Sequence, residues 1–238
     1  AVLTCIVTVF SVAVKNHANG VHHPKAHFRK AVDKDSIVNA PMIADPLGRF
    51  DCCAVSDGAA VLVITTPEIA KSYNHSDDYV LVKSNALAAE TLTPWYVPSF
   101  DFKSFPATVN AAQQAYHEAG VENPREQISL AEVHDCFTIT ELINVQDLRF
   151  GEVGEAAAEL TNGRWNADGA QPINPSGGLK SFGHPIGATG CRMLYEVTKQ
   201  LQGRADGLQV KDPQLGLTHN LGGPYTVANV TILGKNED

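Results

Sequence analysis

The 238-residue sequence has no long run of basic residues, and its formal net charge is -8. This acidic balance argues against a surface that binds nucleic acid or another polyanion. The apolar stretch at residues 1–14 is too short to span a bilayer and has no basic residues ahead of it, so we expect no membrane span and no secretory signal. The default expectation is a cytoplasmic protein, with the peroxisome or mitochondrion open for a eukaryotic one, although the last residues carry no peroxisomal or retention tripeptide.

Cysteine is scarce, and its pattern excludes two kinds of small cross-linked site. The five cysteines give neither the even number of a disulfide framework nor the CxxC pairs of a zinc site: they are Cys5, Cys52, Cys53, Cys136 and Cys191. Reduced thiols fit best. Four histidines lie between residues 15 and 30, but their spacing matches no known metal-ligand pattern, so we expect no metal.

The glycine motifs of three enzyme classes are also absent. The sequence has no GxGxxG after a strand, no GxxxxGK[ST] and no GxSxG, which excludes the dinucleotide-binding, P-loop and serine-hydrolase classes. Residues 174–190 instead read NPSGGLKSFGHPIGATG, with five glycines around His184. Pro185 stiffens the chain after His184, and apolar residues spaced three and four apart from 188 to 201 predict a helix directly after the loop. Its N-terminus favours developing negative charge beside the imidazole.

Alternating strand and helix patterns predict an α/β fold, a mixed sheet with helices on both faces. Residues 1–14 fit a core strand or helix, and residues 15–30 a basic, exposed excursion broken by Gly20 and Pro24. The apolar run 59–65 is typical of a strand buried on both faces. Further strands are predicted at 79–84, 128–133, 215–221 and 225–233, and helices at 106–119 and 137–150.

Three loops follow predicted strands or precede predicted helices, at residues 134–137, 183–190 and 219–224, and such ends converge on ligand crevices in α/β sheets. There Cys136 and His184 could form an acid/base pair, in which the imidazole polarises a carbonyl and the thiolate takes a proton from carbon. Backbone N–H groups near Gly222 could stabilise an oxyanion. The alternative is that Cys136, like Cys52 and Cys53, is a small buried hydrophobic residue.

Taken together, the motifs HDCF (134–137), NPSGGLKSFGHPIGATG (174–190) and HNLGGP (219–224) resemble the thiolase family, in particular its sterol-carrier-protein-2-type branch. The segments KNHANGVHHPKAHFR and SDGAAVLVI fit the same branch. The resemblance implies a thiolase-like fold, of which this chain holds one complete half and the remnant of the other. Residues 1–77 would be the end of the N-terminal half with part of the loop domain, and residues 78–238 the C-terminal domain.

The resemblance also implies roles for four residues. His184 would activate the nucleophilic cysteine and contribute to the oxyanion hole, and His134 would hold the water that completes that hole. Cys136 would be the acid/base cysteine, because the place where ordinary thiolases carry a C-terminal CxG motif has no cysteine here. The Gly222 N–H would belong to a second oxyanion hole. The substrate would be a coenzyme A thioester, partly covered by residues 15–30, and no cofactor would be bound permanently.

One departure from the family concerns the nucleophilic cysteine, whose matching place lies ahead of this chain. Cys5 does not replace it, because its apolar surroundings lack the small-residue turn that a nucleophile needs. We therefore expect an acyltransferase of the acetyl-CoA acyltransferase type, catalysing thiolysis or Claisen condensation, that is incomplete as it stands. The missing strands would leave an apolar surface around residues 52–66 and favour a homodimer or larger homo-oligomer.

Two alternatives stay open at the level of the sequence. The first is a non-catalytic acyl-CoA-binding or scaffold subunit that docks a small partner subunit, as some members of this branch do. The second is a related condensing enzyme of the ketoacyl-synthase or aldolase kind.

Overall fold

The computed structural model describes residues 2–73, 78–92, 96 and 100–235, with side chains from residue 9 onwards. Its helices are α1 (Val2–Gly20), α2 (Lys34–Val38), α3 (Pro67–Lys71), α4 (Pro106–Ala119), α5 (Pro124–Gln127), α6 (Thr138–Asp147), α7 (Ala156–Thr161), α8 (Gly178–Ser181) and α9 (Thr189–Leu201). A 3-10 turn spans Arg49–Asp51. The strands are β1 (Met42–Ala44), β2 (Leu47–Gly48), β3 (Val80–Ala89), β4 (Leu130–Val133), β5 (Leu215–Gly222) and β6 (Val227–Lys235).

In this part of the chain the main sheet has four strands in the order β3-β6-β5-β4. Strands β4 and β5 are parallel, whereas β6 runs antiparallel to both β5 and β3. Strands β1 and β2 form a separate antiparallel pair. Because β4 and β5 are parallel, the loops that follow them leave the sheet at the same edge. The loops that follow β4 and β5 therefore lie close to each other.

Helices cover both faces of the main sheet. Helix α4 packs against β3 and β6, and α9 packs against β5 and β4. The neighbouring β6 residues Ile232 and Leu233 belong to different hydrophobic clusters, the first shared with α4 and the second with α9. Successive side chains of a strand point to opposite faces, so the two clusters lie on opposite sides. The predicted α/β fold with a mixed sheet and helices on both faces is confirmed.

Helix α4 has the bounds that the sequence predicts. It begins at Pro106. Proline suits the first turn of a helix, because a backbone N–H at that position would have no acceptor within the helix. It ends before Gly120, which has a φ of 67° and accepts the left-handed conformation that closes a helix. The face that carries Ala107, Ala111 and Ala115 is buried against the sheet. Small residues on that face let the helix approach the strands closely.

The prediction of an exposed excursion at residues 15–30 is wrong for part of that segment. Helix α1 continues to Gly20 and packs against α6, α7 and α8. Buried polar side chains can be stable there because polar partners replace water; Lys15 Nζ, for example, lies 3.0 Å from Glu141 Oε1. The mostly buried stretch ends at Gly20, and within the mostly exposed residues 21–30 only His23 and Ala26 are buried. The buried polar residues of this segment are Lys15, Asn16, His17, Asn19 and His23.

The prediction of a buried strand at residues 59–65 is also wrong. These residues form neither helix nor strand. Val61, Val63 and Ile64 are 79–92% exposed. A strand needs a neighbour to satisfy its backbone N–H and C=O groups, and no described strand runs beside this segment. The related expectation of an exposed apolar surface around residues 52–66 is confirmed.

We expect this segment to drive self-association, because an exposed apolar run with free backbone groups is a site for pairing. Val63→Lys should shift the chain toward the monomer, as measured by sedimentation velocity over a concentration series. Val153→Lys is the matched control, since Val153 is 78% exposed and lies outside the segment. A concentration-independent monomer for the unaltered chain would contradict the prediction.

Candidate active site

The loops that follow β4 and β5 lie side by side at one edge of the sheet. Val133 of β4 pairs with His219 of β5, and the next residue, His134, donates its backbone N–H to the His219 carbonyl at 3.0 Å. The loop before α9 reaches the same edge, where the His134 and His184 ring centroids lie 5.2 Å apart at 90°. Two of the three loops singled out in the sequence thus contribute facing imidazoles.

Asp135 joins the loop after β4 to the glycine-rich segment. Its carboxylate accepts the backbone N–H groups of Leu179 at 2.6 Å and Lys180 at 3.3 Å. Gly178 has a φ of 60° and contacts this carboxylate so closely that a Cβ would overlap it. Burial, followed by the charge of Glu141, raises the pKa of Asp135 to about 7. Glycine at position 178 therefore permits the close approach of the backbone to Asp135.

A buried polar network extends from Asp135 into α1. The Asn16 amide donates to Asp135 Oδ2 and to Glu141 Oε2, both at 2.7 Å. The Asn174 amide donates to the same Glu141 oxygen at 2.7 Å, while its oxygen accepts the Val133 N–H at 2.8 Å. The KNH segment, the HDCF loop, α6 and the NPSGG turn are thereby held in one arrangement.

Both imidazoles are oriented through their Nδ1 atoms. His184 Nδ1 lies 2.8 Å from the Thr189 hydroxyl, which itself donates to the Pro185 carbonyl at 3.1 Å. That hydroxyl must therefore accept from the ring, which leaves His184 Nε2 free to take a proton. His134 Nδ1 lies 2.8 Å from Asn220 Oδ1 and also faces the backbone N–H of Leu221, at 3.4 Å.

Both imidazoles are neutral at neutral pH. Burial lowers the pKa of His134 to about 4, against a raising effect of its hydrogen bond to Asn220. Burial also lowers the pKa of His184, and the nearby Arg192 charge acts in the same direction. A neutral ring with a free nitrogen can accept a proton, which is the state that a general base requires.

Cys136 is half-buried beside two hydroxyl groups. The Cys136 thiol donates to Thr140 Oγ1 at 3.9 Å, and the Tyr225 hydroxyl is close enough to lower the pKa of the thiol. Burial, then the neighbouring Cys53, raises the pKa of the Cys136 thiol to about 11. Within the described structure the thiol and the His184 ring share no hydrogen bond, so the structure does not show them as a direct acid/base pair. At neutral pH the thiol is protonated and able to act as an acid.

Gly222 is the last residue of β5 and pairs with Val227 at the start of β6. It lies half-buried at the same edge as the loop that carries His134, because β4 and β5 are parallel. The turn after it brings Tyr225 back to Cys136. Gly222 therefore lies at the same edge of the sheet as the other three predicted site residues.

Sequence reasoning did not assign roles to three residues that shape this site. Asp135 belongs to the HDCF motif and Asn220 to the HNLGGP motif. Membership of these motifs was the sequence signal that could have identified both residues. Tyr225 directly follows HNLGGP but carries no spacing pattern of its own. Only the turn between β5 and β6 places it against Cys136.

A cavity of about 400 Å³ lies beside this site, between the segment 56–61, the loop before α9 and α9 itself. Pro185, Ala188 and Arg192 line it, and Lys25 reaches it from the segment after α1. None of the four predicted site residues is among its lining residues. In the described ranges no cluster of three His, Cys, Asp or Glu side chains suits a metal ion. Nor does any described helix combine the length and apolarity needed to cross a membrane.

The buried His134 gives the site a defined pH dependence. The pKa of His134 is lower in the folded chain than its unfolded value of 6.5. The unfolding free energy is therefore undiminished by this group above pH 6.5 and falls as the pH is lowered toward about 4, because the unfolded chain binds the proton more readily. His134→Asn keeps an N–H donor but cannot titrate. Between pH 7 and 4.5 the variant should lose about 2 kcal/mol less unfolding free energy than the unaltered chain, measured by urea denaturation. His22→Asn, at an exposed histidine, is the control and should change nothing.

Comparison with known proteins places these loops in a family. The sequence model described as "Thiolase C-terminal domain-like" matches residues 96–235. An acetyl-CoA acetyltransferase of Methanothermobacter thermautotrophicus is 41% identical over 224 residues, covering 94% of this chain and 57% of that protein. Sterol carrier protein 2 of Oryctolagus cuniculus is 35% identical over 214 residues, covering 87% of this chain and 38% of that protein.

The fold agrees with this relationship. The solved structure titled "Ltp2-ChsH2(DUF35) aldolase" superposes on 98% of this chain, and on 59% of its own, with a TM-score of 0.83 at 23% identity. This chain thus spans little more than half the length of the first of these relatives. The predicted thiolase-like fold is confirmed, and with a family match over more than half of its residues the chain belongs to the thiolase family.

Proposed function

We propose that this chain is the C-terminal portion of a thiolase-like acyltransferase that acts on acyl-CoA or 3-ketoacyl-CoA, by thiolysis or Claisen condensation. Residues 78–238 form its C-terminal domain, and residues 1–77 the end of the N-terminal half with part of the loop domain. One observation carries the proposal: two neutral imidazoles, His134 and His184, face each other 5.2 Å apart, and a thiol follows two residues after the first.

In this proposal His184 Nε2 takes the proton of the nucleophilic thiol, and the resulting imidazolium donates to the thioester oxygen as negative charge develops there. His134 Nε2 holds a water that donates to the same oxygen. The Thr189 contact leaves His184 Nε2 as the proton acceptor, and both contacts of His134 are made through Nδ1, which leaves its Nε2 to hold the water. A single well-placed donor of this kind contributes about 3 kcal/mol to transition-state stabilisation.

Cys136 exchanges a proton with the α-carbon of the acetyl-CoA unit that leaves in thiolysis or is added in condensation. In thiolysis the thiol protonates the departing carbanion, and in condensation the thiolate removes the proton. Its raised pKa of about 11 suits the acid direction, since the thiol is protonated when the substrate arrives. The Gly222 N–H supports the enolate oxygen. The substrate is a coenzyme A thioester, and no permanently bound cofactor is required.

The acyl-accepting nucleophile lies outside this chain in our proposal. The relatives are longer than this chain, and an additional segment of the same protein would supply the cysteine. We further propose that the exposed run at residues 59–65 lies at a contact within a homodimer or larger homo-oligomer. The cytoplasmic location remains a prediction.

A second candidate is a non-catalytic subunit that binds acyl-CoA and works with a small partner subunit. The fold neighbour's title names a DUF35 component alongside an aldolase, which supports a partner subunit for a chain of this fold. The two candidates differ in whether Cys136 moves a proton to and from carbon. That difference can be measured without the missing nucleophile.

We expect the chain to exchange the methyl protons of acetyl-CoA for deuterium in D2O, followed by NMR, because enolisation needs only the acid/base group and an oxyanion hole. Cys136→Ala should lower the exchange rate at least about a hundredfold, the usual contribution of a positioned acid or base. Cys191→Ala is the control, as a half-buried cysteine without an assigned role. Binding of acetyl-CoA without exchange would favour the non-catalytic subunit.

The absence of a nucleophile from this chain has its own test. After incubation with acetyl-CoA or acetoacetyl-CoA, intact-protein mass spectrometry should show no stable acyl adduct, since none of the predicted site residues is the acyl-accepting cysteine. Peptide mapping identifies any adduct that does form. A stoichiometric acyl group on one cysteine would show that the chain supplies its own nucleophile.

A further inference from the structure

Tyr225 occupies an unusual backbone position beside the candidate active site. It lies in the turn between β5 and β6, and its φ of 61° falls in the left-handed region that non-glycine residues rarely adopt. Backbone conformations of this kind persist where the surroundings hold them, and they cluster at functional sites. Here the aromatic ring stacks on Phe105, with centroids 4.5 Å apart and planes at 19°. The packing of the ring therefore fixes where the hydroxyl points.

The Tyr225 hydroxyl reaches two groups of the loop after β4 and the first turn of α6. It lies 3.5 Å from Thr140 Oγ1 and close enough to Cys136 for each of the two groups to change the pKa of the other. Thr140 Oγ1 in turn lies 3.9 Å from Cys136 Sγ. These distances are at the long end for hydrogen bonds, as is common at catalytic groups before a substrate is bound. One thiol and two hydroxyls thus form a compact cluster.

The groups around Cys136 determine how readily its thiol loses a proton. Its titratable neighbours are Cys53, Asp135 and Tyr225. In the anionic state, Cys53 and Asp135 would repel a thiolate at Cys136, and burial also disfavours it. The two groups that lower the pKa of the thiol are the hydroxyls of Thr140 and Tyr225. The thiol donates to Thr140 Oγ1, whereas a thiolate, which has no proton, could only accept hydrogen bonds from the two hydroxyls. A thiol that must release a proton in such surroundings depends on these donors.

We propose that Tyr225 is a positioning residue for Cys136, whose hydroxyl donates a hydrogen bond to the Cys136 thiolate and stabilises it. The catalytic consequence rests on the proposed function, because it concerns the acid/base step assigned to Cys136. The contact itself does not, since thiolate formation can be followed in the chain without any acyl-CoA. No covalent bond to Tyr225 forms in this role; the proton of Cys136 passes to the substrate carbanion or to solvent.

The test is the rate at which iodoacetamide alkylates Cys136 between pH 8 and 10, under reducing pretreatment, with peptide mass spectrometry to separate the cysteines. Tyr225→Phe removes the hydroxyl but keeps the ring that stacks on Phe105. Below the thiol pKa the rate follows the thiolate fraction, so Tyr225→Phe should slow alkylation about tenfold, the effect of one hydrogen bond to a charged group. Tyr73→Phe, at an exposed tyrosine, is the matched control and should leave the rate unchanged.

The outcomes separate this proposal from the proposed function. Slower alkylation of Cys136 in Tyr225→Phe alone, with the same slope against pH, supports the positioning role even if acetyl-CoA exchanges no deuterium. An unchanged or faster rate overturns it, even if exchange occurs and requires Cys136. Circular dichroism and the alkylation rate of Cys191 show whether the fold is retained. If the fold is lost, Thr140→Val removes the other hydroxyl of the cluster and should likewise slow the alkylation of Cys136. Thr140→Ser keeps a hydroxyl and should restore the rate.

Discussion

Asp135 and Glu141 are carboxylates buried beneath the edge of the sheet, and such groups are stable in the interior only when donors surround them. The donors come from far away in the chain: the Asn16 amide is separated from Asp135 by 119 residues and from Glu141 by 125. Removing one donor would leave a buried acceptor unsatisfied, which costs about 1–3 kcal/mol. The arrangement of α1, the loop after β4 and the glycine-rich turn depends on this constraint.

That constraint also determines the chemistry of the site. Asp135 ties the loop that carries His134 and Cys136 to the segment that leads to His184, so the spacing of the two imidazoles does not rely on flexible loops. The burial that accompanies this packing lowers the pKa of both histidines and raises that of the thiol. Two neutral bases and one protonated acid are therefore available at neutral pH.

The segment around residues 59–65 is exposed, in contrast to the buried network around Asp135. Its apolar composition suits a buried strand, yet in the described structure it has no strand partner and its valines face solvent. The same residues that would stabilise a larger sheet thus become an exposed apolar surface. The chain has a well-packed sheet in residues 80–235 and an unpartnered segment ahead of it, in keeping with relatives that are considerably longer.

By itself the sequence determined the α/β class, the bounds of α4, the strands β5 and β6, and the three loops that hold the candidate site. These depend on local causes: apolar periodicity, proline at a helix start and glycine after a helix end. The tertiary structure decided what no local pattern contains. It buried Lys15 and Asn16, because partners that stabilise them lie more than a hundred residues away. It left residues 59–65 without a neighbouring strand in the described structure, because a strand forms only beside another. It also placed Tyr225 against Cys136, since a contact across 89 residues follows from packing and not from spacing along the chain.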